Sequence, residues 1–180
     1  MDDVRLRLER LHAECFGWAM CCCGRDREAA RDVLQDVYLK VLDGKARHDG
    51  AGSFKTWLFA VIRRTALDER RRTWVRLAKL TGYWQRRKEE APQPLPPESQ
   101  ELAAALAKLP RQQREVVHLV FYEELSIAEA AEVMGVSVGT ARTHYQRAKA
   151  ALRDRLGSHE TGRIDHAMGP GRTTDAGAVL

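Results

Sequence analysis

The sequence is poor in the features that staple, span or catalyse. Nowhere does it approach the roughly 20 consecutive apolar residues of a membrane-crossing helix, and its opening residues scatter their charge instead of setting a basic start before an apolar run. The chain is therefore read as cytoplasmic, with no direct membrane insertion. Its four cysteines, Cys15, Cys21, Cys22 and Cys23, lie close together without distant partners, which excludes a secreted disulfide scaffold. A phosphate-cradling glycine loop, a nucleophile motif and an HExxH helix are all missing, so no catalytic residue is assigned and the chain is not read as an enzyme. No histidine has a cysteine or carboxylate partner at ligand spacing, and neither a metal nor another cofactor is expected. Alternating strand patterns and internal repeats are also lacking, which leaves an all-α architecture.

What the sequence does have is charge in blocks. The net charge of +5 is modest, yet Arg63 to Lys88 holds ten basic residues against Asp68 and Glu69, a local +8. Glu98 to Glu132 reverses this, with seven acids against Lys108, Arg111 and Arg114, and duplex DNA would avoid that stretch. Between the blocks, residues 91–97 carry four of the six prolines, through which neither helix nor sheet continues. The reading is a first helical domain over 1–88, a semi-rigid linker over 89–100, a second domain over 101–156 and a Gly-rich disordered tail over 157–180.

Apolar residues Val33, Leu34, Val37, Tyr38, Val41 and Leu42 recur at helical spacing, with Asp26 placed to cap the start and Gly44 the end. The other face of that helix carries Asp32, Gln35, Asp36 and Lys40. After Ser53, Phe54, Trp57, Leu58, Val61 and Ile62 predict a helix whose first half builds core and whose second half is basic. The tryptophans Trp18, Trp57, Trp74 and Trp84 are expected in the core or at its edge, although Trp74 and Trp84 sit in the basic block and could stack on an unpaired base. Three consecutive helical cysteines point about 100° apart and cannot converge on one ion, so core packing is their expected role.

Ser126-Ile127-Ala128-Glu129 has capping-box spacing and predicts a helix to about Met134. Gly135-Val136 then turns the chain into a second capped start at Ser137, followed by a helix with Ala141, Tyr145, Ala148, Leu152 and Leu156 on its apolar face. Two short helices joined through a glycine turn form a helix-turn-helix, whose second helix lies in the major groove. Arg142, Thr143, His144, Gln146, Arg147 and Lys149 fall off the apolar face and suit base edges and phosphates.

These residues resemble the extracytoplasmic-function (ECF) sigma factors, two-domain specificity subunits of bacterial RNA polymerase. The resemblance is carried by Asp32-Val33-Leu34-Gln35-Asp36-Val37-Tyr38, Ser53 to Leu58 and Ala66-Leu67-Asp68 with Arg70, Arg71 and Arg72, similar to region 2. Leu109-Pro110, Gln113 to Val117, Leu125-Ser126, Glu129 to Ala131, Val138 to Arg142 and Arg147-Ala148 are similar to region 4. Three positions depart from the family pattern: Arg31 for a glutamate, Arg64 for an asparagine and Ala141 for a branched aliphatic residue.

The resemblance implies that Asp32, Gln35 and Asp36 bind core RNA polymerase at the β′ clamp helices, with region 4 on the β flap. It implies that the loop Arg47 to Ser53 and the following helix open the minus-10 promoter element, with Lys55, Arg63, Arg64, Arg70 and Arg71 on the DNA. Thr140, Arg142, Thr143, His144 and Arg147 would read the minus-35 element, and an anti-sigma factor is a possible further partner. The main alternative is a conventional helix-turn-helix regulator with a ligand-sensing or dimerising first domain, against which the basic block argues. A polymerase-binding decoy that makes no use of DNA is a third class.

Overall fold

The computed structural model of the chain describes residues 2–79 and 97–156. Most of the proline-rich linker, Trp84 and the tail over 157–180 lie outside the described residues, although helix begins at Pro97, within the segment read as linker. Eight helices and no strand are found among the described residues: α1 Asp2–Arg10, α2 His12–Cys22, α3 Arg27–Leu42, α4 Phe54–Lys79, α5 Pro97–Ala107, α6 Arg111–Phe121, α7 Ile127–Met134 and α8 Val138–Leu156.

Local signals set most of these boundaries. The Asp26 carboxylate accepts the Ala29 amide at 3.0 Å to start α3, and Gly44 follows its end in the left-handed conformation that a side chain resists. The capping box of α7 is complete, with the Glu129 amide donating to Ser126 Oγ at 3.2 Å and the Ser126 amide donating to Glu129 Oε2 at 2.9 Å. These bonds from the Ser126 side chain and backbone hold the Glu129 carboxyl below its ordinary range. Gly135, at φ +63°, turns the chain out of α7, and Ser137 Oγ accepts the Thr140 amide at 3.1 Å to open α8.

The first region packs α2, α3 and α4 around Cys15, Trp18, Val33, Leu34, Val37, Leu58, Phe59 and Ile62, all buried. Trp18 is fully enclosed, stacks on Phe59 and donates its indole N–H to the Phe59 carbonyl at 2.9 Å. In the second region α6, α7 and α8 pack together, and α5 closes on α8 by setting Leu106 against the small cluster of Leu109, Val117 and Ala148.

The two regions are not separate bodies. Val116, Leu119, Leu125, Ala130, Val133 and Met134 belong to the same apolar cluster as Trp18 and Ile62, with α7 lying on α4 and α6 on α2. A Pro-rich connection reads as a spacer between independent units, whereas here the flanking units share one core.

Candidate nucleic-acid interface

On α3 the apolar stripe faces inward, which turns Asp32 and Gln35 to solvent and leaves Asp36 half-buried, paired with Lys40 at 2.7 Å. Beside them lies a groove of about 530 Å³ lined by Phe16, Arg31, Leu34, Gln35, Tyr38 and Leu39 among others. Leu39 is 52% exposed and Leu42 also faces solvent, so this helix offers apolar surface next to its acids. Sequence periodicity missed this feature: Leu42 was assigned to the inward stripe, and Leu39 stands outside it. Arg31, the departure from the family pattern, lies on the rim of the groove.

On α4 the cations divide into two groups. Lys55 Nζ lies 3.1 Å from Glu14 Oε2 and 3.1 Å from Glu123 Oε2, and donates to the Glu123 carbonyl oxygen at 3.2 Å. Arg63 Nε donates to Glu115 Oε2 at 3.0 Å; its side chain is 12% exposed and that of Glu115 is 1% exposed. Arg64, Arg70 and Arg71 instead face solvent. Trp74, read as a core or domain-edge residue that could also stack on an unpaired base, is 59% exposed, because α4 has by then run past the elements that bury its first half. Together with Arg70, Arg71, Val75 and Arg111 it lines a second, smaller groove.

Burial disfavours the charge on Lys55, but Glu14 and Glu123 outweigh it and raise the pKa above its ordinary value. Burial likewise pushes the Glu123 carboxyl up, and His118 with Lys55 reverses this to leave it below the usual carboxylate range. His118 Nε2 sits 3.2 Å from Glu123 Oε1 and its ring packs against Trp18 and Tyr122. Glu115 is clamped from both sides, since Arg111 Nε also reaches its Oε1 at 2.9 Å.

On α8 the geometry is simpler. Ala141 and Ala148 are buried, and the rest of the first turns projects outward: Thr140, Arg142, Thr143 and Arg147 are exposed, with His144 half-buried. The small Ala141 lets α8 sit close against the shared core. Thr140 Oγ1 lies 2.8 Å from Ser137 Oγ, and Thr143 Oγ1 donates to the Gly139 carbonyl at 2.9 Å, which orients both hydroxyls. Neither arginine on this face has an acidic partner among the described residues that would compete with DNA. The buried cysteines pack in the core: burial pushes the Cys15 and Cys21 thiols up to about 12. Among the described residues no cluster of His, Cys, Asp or Glu could hold a metal, and no helix is long and apolar enough to cross a membrane.

Two families match in order along the chain, Sigma-70 region 2 over residues 8–76 and Sigma-70, region 4, over residues 99–152. The RNA polymerase sigma factor YlaC of Bacillus subtilis is 32% identical over 72% of this chain and 78% of its own length. The ECF RNA polymerase sigma factor SigF of Caulobacter vibrioides is 36% identical over 69% of each chain. Among solved structures, the sigma factor RpoE of Bartonella quintana, in complex with the anti-sigma factor NepR, is similar in fold. Its TM-score is 0.76 at 21% identity, covering 89% of this chain and all of that one. CnrH in complex with the cytosolic domain of CnrY gives a TM-score of 0.59 at 24% identity, over 89% and 92% of the two chains. The chain therefore belongs to the ECF family of sigma factors, non-enzymatic subunits that bind core RNA polymerase, recognise the minus-35 and minus-10 promoter elements and direct transcription initiation.

Proposed function

We propose that each step of promoter recognition falls to one of the three surfaces above. The first unit, over 1–88, docks on the β′ clamp helices through Asp32, Gln35 and Asp36. Its neighbouring groove takes apolar side chains of the partner, with Leu39 and Leu42 completing the contact. Exposed acids beside exposed leucines suit a partner helix that presents both cations and apolar residues.

The second unit, over 101–156 with its helix extended back to Pro97, sits on the β flap and reads the minus-35 element through Thr140, Arg142, Thr143, His144 and Arg147. The single observation that carries this is the outward face of α8, where a capped helix start presents two arginines and two oriented hydroxyls without acidic neighbours. Lys55, Arg63, Arg64, Arg70 and Arg71 grip the minus-10 element. The proline-rich segment sets the distance between the two readers, and bivalent reading raises affinity without new contacts. The chain acts in the cytoplasm with the polymerase. The sigma factor RpoE of similar fold is held by the anti-sigma factor NepR, which supports an anti-sigma partner for this chain as well.

Run-off transcription with purified core polymerase tests the reading. The double variant Arg142→Ala, Arg147→Ala should lose promoter-dependent transcripts by about tenfold or more, since each good base contact is worth about 1–3 kcal/mol. Undiminished transcripts would remove the minus-35 assignment.

A further inference from the structure

The groove beside α3 and the acids assigned to docking differ in sign. Its walls are apolar at Phe16, Leu34, Tyr38 and Leu39, and the permanent charges that line it among the described residues are Arg27 and Arg31, with no carboxylate. Asp32 and Asp36 lie on the adjoining row of the same helix, outside that lining. One surface therefore presents a basic groove and an acidic ridge side by side.

Both arginines run against the local rules of the helix that carries them. Arg27 opens α3, where unpaired amides already make the helix end positive, and Arg31 follows one turn later on the same face. Like charges four residues apart repel. Arg27 is drawn over the Phe16 ring, its Cζ 5.3 Å from the centroid, which places its charge at the groove wall. Arg31 is exposed and has no carboxylate partner among the described residues. No contact within the described chain offsets the charge of Arg31, and a departure from local preference without internal compensation is what a binding surface produces.

We propose that Arg27 and Arg31 form an anion-recognising rim on the polymerase-docking groove. A carboxylate of the docking polymerase helix settles over them, apolar neighbours of that carboxylate fill the groove, and a cation of the same helix meets Asp32 and Asp36. The proposal rests on the docking reading above and adds to it the signs and the order of the partner's charges.

The chemistry of the groove suits such an occupant. A guanidinium can hold a carboxylate through two parallel N–H bonds, and apolar walls exclude the water that would weaken the attraction. The groove is already formed in the free chain, since the Tyr38 hydroxyl in its wall lies 3.2 Å from His12 Nδ1. Gln35, exposed at the boundary between the two signs, can donate to an acid or accept from a base. A partner helix laid in the opposite direction would set acid against Asp32 and base against Arg31. Like charges brought together in this way suppress the wrong arrangement, so the rim fixes orientation as well as affinity.

The test titrates full-chain variants with core RNA polymerase. Exchange of the two signs, Arg31→Asp with Asp32→Arg, leaves the net charge unaltered and so retains any general attraction. It should weaken binding by about a hundredfold, roughly tenfold for each reversed contact. Arg31→Gln should weaken binding by about fivefold, and Arg31→Lys, which keeps the charge but not the planar fork, should fall between Gln and the native residue. These losses should shrink as salt is raised from about 0.05 M to about 0.5 M.

Stability separates recognition from a structural role. Arg31→Gln relieves a repulsion with Arg27, so its denaturant midpoint should stay at the native value or rise. Weaker binding matched by a lower midpoint would make Arg31 a structural residue and overturn the rim. A loss with Arg31→Lys as large as with Arg31→Gln would show that the partner does not read the charge, and overturns it too. Native or tighter binding by Arg31→Gln, while Asp32→Arg remains weak, overturns the rim and leaves the docking face standing. Native binding by both removes the docking reading and the rim with it. Should the exchanged variant fail to fold, the single substitutions at Arg31 still decide.

Discussion

The two DNA-reading surfaces are built by opposite means. On α8 a buried Ala141 and Ala148, with Tyr145 packed on the core between them, press the helix inward, so that Arg142, Thr143 and Arg147 face outward and are ready for a groove. On α4 the same period buries Phe59 and Ile62 but also turns Lys55 and Arg63 toward a neighbouring region, where carboxylates hold them. A basic residue on the polar face of a helix is thus free only when nothing acidic packs beside it. Net charge along the sequence could not make that distinction.

Loss of the common core gives the largest expected effect. Trp18→Ala removes the indole that both regions surround and should destabilise the chain by about 3–5 kcal/mol, while Trp74→Ala, on the exposed end of α4, should stay within about 0.5 kcal/mol. Denaturant titration of both variants separates them, and similar losses would mean that Trp74 contributes to the core as Trp18 does.

Polymerase docking comes next. Asp32→Arg reverses an exposed charge on α3 and should weaken core binding by about tenfold or more with no change in helix content. Unaltered binding in a polymerase titration would move the docking face elsewhere.

A sharper form of the comparison uses α4 alone. In the free chain, Arg70→Ala with Arg71→Ala should weaken binding of a single strand several-fold and lower its salt dependence by about one to two charges' worth. Lys55→Ala with Arg63→Ala should bring no such loss there, because both cations are already held. Equal losses from the two pairs in the free chain would erase the distinction between open and occupied cations.

Among the two sets of α4 cations, acidification acts on the occupied one. Glu123, held below its ordinary range, contributes stability that is present above its unfolded pKa and is lost as pH falls through its folded value. Lys55, raised, contributes stability that is full below its unfolded pKa and is lost as pH rises through its folded value. Contact between the regions should therefore weaken as pH falls below the ordinary glutamate range and again as it rises beyond the ordinary lysine range. Denaturant titration repeated across pH checks this, and a stability maximum in acid would reverse the sign. The smallest effect is local: Ser126→Ala removes the cap of α7 and should cost about 1 kcal/mol in a thermal melt.

Much of this was legible in the sequence because it is local. The Asp26 cap, the capping box at Ser126 and Glu129, the turn at Gly135 and the stripe on α3 all depend on residues within a few positions of one another. The helix-turn-helix and its outward arginines followed from the same short-range rules. The pairing of Arg63 with Glu115 spans 52 residues and that of Lys55 with Glu123 spans 68, and neither leaves a periodic trace. The Pro-rich stretch pointed to separation, and nothing in composition reveals that Leu119 and Met134 complete the core around Trp18. The choice between core and edge for Trp74 stayed open in the sequence for a related reason: only the packed neighbours show where α4 leaves them.

Footprinting on one promoter template, with the chain alone, core polymerase alone and the two combined, tests the central claim that both readers serve one polymerase-bound factor. The account predicts protection at two elements about 25 base pairs apart, with strand opening at the downstream one, only when chain and core are combined. Protection of a single duplex site by the chain without polymerase, unchanged when core is added, would contradict it.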